Sequence, residues 1–215
     1  MRSGAAFAVA AWASLVATGT LAHDESGNHA KSPLVPGVEF FVDDAYRALP
    51  VLEFPIEKLT NVERRIYVQA DASKHVDHAV IVQFEHVQAG SDFRFVYPPV
   101  PPQRFGRHDL RFGAFAFDEA AAAAADPGRE AGRTRAHLQQ QGYVIPRYWR
   151  AARLARVADA EGLVEVIVFY LENADTDYSA KGLTGADEGG DLTLPAAEAE
   201  RLLGRLRSAV SVVSD

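Results

Sequence analysis

The sequence predicts an α+β fold, a single domain in which a mainly antiparallel sheet of about seven strands is packed by two helices. Apolar and polar residues alternate over residues 65–70 and 78–86, a pattern typical of strands with one buried face. Residues 163–171 are almost continuously apolar, as expected of a central strand covered on both faces. Near the C-terminus, apolar residues recur every three or four positions, which indicates an amphipathic helix.

Further strands complete the predicted sheet. They are residues 38–42, 51–56, 92–97 and 112–117. Pro55 places the second of these at a sheet edge, because proline has no N–H to donate to a neighbouring strand. Residues 147–158 fit either a strand or a helix, and we favour a strand that forms a hairpin with residues 163–171.

The helices are predicted from their caps and breakers. Asp118 is expected to cap an alanine run at residues 119–125. Asp-Pro-Gly at 126–128 interrupts this helix, which resumes over 129–141. The last helix is expected to begin near Pro195 and to run to about Val213. A stiff, exposed loop is predicted at residues 98–107, which hold four prolines.

Composition excludes several classes of protein. The 215 residues include no cysteine, which excludes disulfide scaffolds, thiolate metal sites and thiol nucleophiles. The formal net charge of −7 argues against a dedicated nucleic-acid binder, which needs a basic surface.

The N-terminus has the layout of a secretory signal peptide. A short positive segment precedes an uncharged apolar run at residues 5–17, and small residues follow up to Ala22. We therefore expect a signal peptide at 1–22, a flexible polar lead-in at 23–36, and one α+β domain at 37–215. The mature protein is expected to be soluble, periplasmic or secreted, with no transmembrane segment after cleavage.

Cleavage after Ala22 would make His23 the first residue. Its α-amino and imidazole nitrogens can chelate one Cu(II) ion, and a second histidine would complete three nitrogen ligands. On this single residue the arrangement resembles the histidine brace of some exported copper proteins. The alternative is that His23 belongs to a polar tail with no ligand.

A second candidate metal site lies just before the strand at 78–86. His75 and His78 are separated by two residues, and Asp77 could add an oxygen ligand or orient a histidine. Zinc or copper would suit such ligands. His86 falls on the same strand face as His78, but eight residues of strand span about 26 Å, so these two cannot share an ion. Solvated histidines in a hairpin are the alternative.

Sequence motifs give little support for catalysis. His108 beside Asp109 invites a general-base interpretation, yet there is no nucleophile elbow, phosphate-binding loop or HExxH motif. Arginines at 147, 150, 153 and 156 are expected to pair with the acidic segment that follows rather than to form one anion site.

Three functions follow from these observations. The first is an exported, soluble, non-catalytic binding or accessory protein of the cell envelope, whose partner is another envelope protein or a small ligand. The second is a periplasmic or secreted copper- or zinc-binding protein that uses His23, His75, Asp77 and His78. The third is an enzyme whose site is assembled from distant residues.

Overall fold

A nine-stranded antiparallel sheet forms the centre of the protein in the computed structural model, which describes residues 28–180, 182–187 and 190–213. A second sheet has three strands. The predicted α+β domain built on a mainly antiparallel sheet is confirmed, although the large sheet has more than the expected seven or so strands.

The strands of the described ranges are β1 His29–Lys31, β2 Glu39–Val42, β3 Arg47–Ala48, β4 Leu52–Ile56, β5 Thr60–Ala70, β6 Val76–Val87, β7 Gln103–Phe105, β8 His108–Asp118, β9 Tyr148–Val157, β10 Val164–Asn173, β11 Asp191–Thr193 and β12 Val210–Val212. The helices are α1 Glu119–Ala125, α2 Glu130–Gln140, α3 Asp175–Tyr178 and α4 Ala196–Ala209. None of these helices has the length and apolarity needed to cross a membrane.

The large sheet has the order β11-β8-β9-β10-β6-β5-β3, with β4 paired to β5 and β7 paired to β8. β10 lies in its middle, between β9 and β6, which confirms the prediction of a central strand. The hairpin of β9 and β10 is confirmed as well. Within the described residues β4 pairs only with β5, so Pro55 stands on an edge strand as predicted.

The two faces of the large sheet bury different layers. One face, here called the α4 face, packs Val80, Val82 and Phe84 against α4 and the small sheet. The opposite face, here called the α2 face, packs Ile81 and its neighbours against Leu138 of α2. Consecutive residues of a strand point to opposite faces, so each long central strand supplies both layers.

The C-terminal helix is shorter than predicted. α4 ends at Ala209, and Val210–Val212 form β12, which pairs with β2. The expectation of a helix to about Val213 was wrong, because apolar spacing predicts that Val210 is buried but does not separate a helix from a strand. The β-branched residues of this end favour the extended chain.

Two predictions between β6 and β8 also need correction. Residues 92–97 are not a strand. Among the described residues, this segment forms a main-chain hydrogen bond from the Phe95 N–H to the Gly162 carbonyl at 2.9 Å. The predicted loop at 98–107 contains β7, which turns at Gly106 into β8. Gly106 has φ +57, a conformation that glycine adopts at little cost.

The described part of the predicted lead-in contains a strand. His29–Lys31 form β1, which pairs with β2 and buries Ala30 completely. The predicted signal peptide at 1–22 and His23 lie outside the described residues.

Candidate functional site

An apolar pocket lies between the α2 face of the large sheet and the helices α1 and α2. Its cavity volume is about 190 Å³. Five strands contribute apolar side chains to its floor, which are Phe115 of β8, Trp149 of β9, Phe169 of β10, Ile81 of β6 and Ile66 of β5. Pockets of this kind, mostly apolar with a few polar groups, are typical of small-molecule sites.

Helix α2 closes the pocket from above. Ala131, Thr134 and Leu138 line it, and their spacing of three and four residues places them on one helix face. Gly132 lies beside this face where the chain of Pro127 folds back on the helix: a Cβ at Gly132 would stand 2.4 Å from the Pro127 Cα. Glycine is therefore what allows the turn before α2 to pack this closely.

Arg64 forms one polar end of the pocket. Arg64 lies on β5, is 6% exposed, and lines the cavity beside Thr134. Its Nε donates to Gln83 Oε1 at 2.5 Å, and its Nη1 donates to the Glu130 carbonyl at 3.1 Å and to Thr134 Oγ1. These three acceptors are neutral and hold the guanidinium in one orientation.

No carboxylate of the described residues lies within 4.0 Å of the Arg64 guanidinium, and Nη2 has no hydrogen-bond acceptor among them. Burial lowers the pKa of Arg64 to about 10, while the charges of Glu130 and Glu85 oppose this shift. The side chain thus remains a cation at neutral pH. A buried charge without a direct counter-ion is costly and is unusual in a protein interior.

The other polar side chains of the pocket are acidic. Burial raises the pKa of Glu119, which forms an ion pair with Arg135. Glu130 lies 3.9 Å from Arg129. Burial, together with the nearby charge of Asp187, raises the pKa of Asp191. Arg64 is therefore the one cation among the described residues that line this pocket.

A buried polar network continues from Arg64 along the α2 face. Gln83 Nε2 donates to Glu85 Oε2 at 2.7 Å, and Thr60 Oγ1 donates to Glu85 Oε1 at 2.5 Å. Glu165 lies directly opposite Glu85 on the neighbouring strand, 4% exposed. Burial and the Glu85 charge raise the pKa of Glu165 to about 8.

The predicted metal ligands are spread over two environments. His75 lies in the β5–β6 turn with its side chain 57% exposed, and its Nδ1 is 3.4 Å from Asp71 Oδ2. His78 lies on β6 and stacks on Tyr170, with ring centroids 6.1 Å apart, while Asp77 is exposed. No group of three or more His, Asp or Glu side chains suited to a metal occurs within 28–180, 182–187 and 190–213. Copper or zinc binding by His23, His75, Asp77 and His78 stays a prediction.

His108 and Asp109 do not act together. The Nδ1 of His108 is 2.7 Å from Arg156 Nη1, whereas Asp109 binds Arg104 at 3.1 Å. Neighbouring residues of one strand point to opposite faces of the sheet, so the side chains of His108 and Asp109 lie apart although the residues are adjacent in sequence.

Of the four arginines at 147, 150, 153 and 156, Arg150 and Arg153 contact acids of the segment that follows, as expected. Arg156 contacts His108 instead. Arg150 contacts Asp177 and Glu198, and Arg147 contacts Asp118. Arg153 is shared between Tyr97, at 2.8 Å, and Glu165, at 3.7 Å. No common anion site is formed by these side chains.

The geometry defines the class of the protein as an α+β domain with an apolar pocket under one helix. No protein-family model, curated protein or solved structure matches this chain. Sequence reasoning missed Arg64, which directly precedes the strand predicted at 65–70, and it missed Gln83, Glu85 and Glu165, which stand among apolar residues of predicted strands. The one available signal was that these polar residues occupy the same strand face as buried apolar ones.

Proposed function

We propose that this is an exported, non-catalytic binding protein of the cell envelope that takes up a small apolar molecule in the pocket on the α2 face. The observation that carries the proposal is the 190 Å³ cavity with its aromatic and aliphatic floor. The signal-peptide pattern of residues 1–22 supports export. His108 and Asp109 contact different arginines rather than each other, so we prefer a non-catalytic binding protein to an enzyme.

The cavity volume limits the size of the ligand. A dry cavity of about 150 Å³ holds one benzene molecule in another protein. A volume of about 190 Å³ therefore suits a ligand, or the buried part of one, with about eight non-hydrogen atoms. An eight-carbon chain such as 1-octanol is a suitable probe.

Trp149 reports directly on the pocket. It is 2% exposed, it lines the cavity, and the chain has one other tryptophan, Trp12. In the full-length Trp12→Phe protein, 1-octanol is expected to change the Trp149 emission in a saturable way, because the alkyl chain enters its surroundings. Absence of any saturable change up to the solubility limit of 1-octanol, with no heat of binding in calorimetry, would refute the proposed pocket.

A large side chain on α2 is expected to fill the pocket and to block ligand binding. Ala131→Phe places a ring in the cavity and should weaken 1-octanol binding at least tenfold, measured by the same emission change and by calorimetry. Ala136→Phe makes the same change at an exposed position of the same helix, outside this pocket, and serves as the matched control. Equal affinities in the two variants would show that the probe binds elsewhere.

A further inference from the structure

We infer that the ligand of this pocket is an apolar monocarboxylate, whose carboxylate binds the Arg64 guanidinium and whose tail lies on the aromatic floor. The inference rests on the proposed function and specifies the chemistry of its ligand. It is carried by a buried cation with unsatisfied donors at the end of an apolar cavity.

Two N–H groups of Arg64 are available to an anion. Nε and Nη1 are occupied by Gln83, Thr134 and the Glu130 carbonyl, which leaves the two N–H groups of Nη2 without an acceptor among the described residues. Guanidinium binds carboxylates with strong, charge-assisted hydrogen bonds. A ligand carboxylate would supply both the missing acceptor and the missing counter-ion.

The register of the sheet places the apolar floor next to this cation. Arg64 pairs with Gln83, and the next pair on the same face is Ile66 with Ile81, followed across the sheet by Phe169. The guanidinium carbon lies 5.9 Å from the centroid of the Phe169 ring. A molecule with its charged group on Arg64 would therefore have its tail against apolar side chains.

The acidic groups around the pocket do not act as a direct counter-ion of Arg64. Glu119 is neutralised by Arg135, and Glu130 has Arg129 beside it. Glu85 is held by Thr60 and Gln83, so Gln83 stands between its carboxylate and Arg64. Burial favours the neutral form of Asp191 by raising its pKa. The neutral acceptors of Arg64 leave its charge for a bound anion.

The test compares ligands of equal length that differ in their polar group. Octanoate is expected to bind the full-length protein at least tenfold more tightly than 1-octanol at pH 7.5, and octylammonium more weakly than either, in calorimetric titrations. Equal or weaker binding of octanoate would overturn the carboxylate inference and leave the proposed pocket intact. No binding of any of the three would overturn both.

A pair of variants tests the role of the Arg64 charge. Thr134→Asp places a carboxylate where Oγ1 now accepts from Arg64, whereas Thr134→Asn offers a neutral oxygen of the same shape. The ratio of octanoate to 1-octanol affinity is expected to be at least tenfold lower in the aspartate variant than in the asparagine variant, because the internal anion competes for the guanidinium. Equal ratios in two folded variants, judged by circular dichroism, would show that Arg64 does not bind the carboxylate.

Discussion

Glu165→Gln is expected to raise the free energy of unfolding at pH 8.5 by about 3–5 kcal/mol. The carboxyl is buried opposite Glu85, and its Oε1 accepts no hydrogen bond from the described residues. Arg153 lies 3.7 Å away, beyond hydrogen-bond distance, and offsets only part of the cost of burial. Glutamine keeps the shape of the side chain and cannot ionise.

The pH dependence of the free energy of unfolding follows from the raised pKa of Glu165. The pKa of Glu165 rises from its ordinary value of 4.5 to about 8 in the folded protein. Between these values the folded state keeps a proton that the unfolded state has released, so the contribution of Glu165 to stability falls as the pH rises. Below pH 4.5 both states are protonated, and above about pH 8 both are ionised, so the dependence ends.

Urea denaturation at pH 5, 7 and 8.5 measures this effect as the difference between the wild-type and Glu165→Gln proteins. The difference should grow with pH. Glu161→Gln makes the same chemical change at an exposed position of the same hairpin and is expected to shift the free energy of unfolding by less than about 0.5 kcal/mol at each pH. A Glu165→Gln difference that is constant with pH would contradict the buried, protonated state.

Gly132→Ala is expected to lower the free energy of unfolding by about 2–3 kcal/mol. The added Cβ would meet the Cα, carbonyl carbon and carbonyl oxygen of Pro127 at 2.4–2.6 Å. These are main-chain atoms, so relief of the contact must move the turn between α1 and α2. Movement of α2 would also open the pocket, because Ala131 and Thr134 are carried on the same helix.

Gly204→Ala is the matched control for this prediction. Gly204 is also within a helix, α4, and nothing lies within 4 Å of the position of its Cβ. Alanine there is expected to raise the free energy of unfolding by about 0.5–1 kcal/mol, since glycine is the poorer helix former. Thermal and urea denaturation of both variants should therefore give changes of opposite sign. A stabilised Gly132→Ala protein would show that the Pro127 turn adapts without cost.

Prediction from sequence succeeded where burial is regular along the chain. The strands predicted at 65–70 and 78–86, the apolar run of β10 and the Asp118 cap of α1, which accepts from the Ala121 N–H at 3.0 Å, all recur in the structure. The expectation of one buried face was wrong for β5 and β6, which are buried on both faces. It failed for residues 92–97 and for the end of α4. In both segments the apolar spacing was real, but whether a strand far away in sequence pairs with the segment decides between extended, helical and irregular chain.

The pocket was beyond the reach of sequence patterns for a related reason. Arg64 stands beside Arg65 in the sequence, and nothing local distinguishes them. Yet Arg65 binds Glu63 at 2.9 Å, while Arg64 points to the other face and meets Gln83 and Thr134. Both arginines are buried, and the face of the sheet that receives helix α2 decides which of them lines the pocket.

By itself, the sequence determined the class of fold, the antiparallel pairing of neighbouring strands, the Asp118 cap of α1 and the absence of cysteine chemistry. These depend on alternation, turns and composition, which act over a few residues. The tertiary structure alone decided that β12 closes the small sheet, that α2 covers one sheet face, and that Arg64 lies beside an apolar cavity with no carboxylate partner in the part of the chain that the structure describes. Contacts between residues tens of positions apart produce these features, and their free energies depend on burial, which local patterns do not specify.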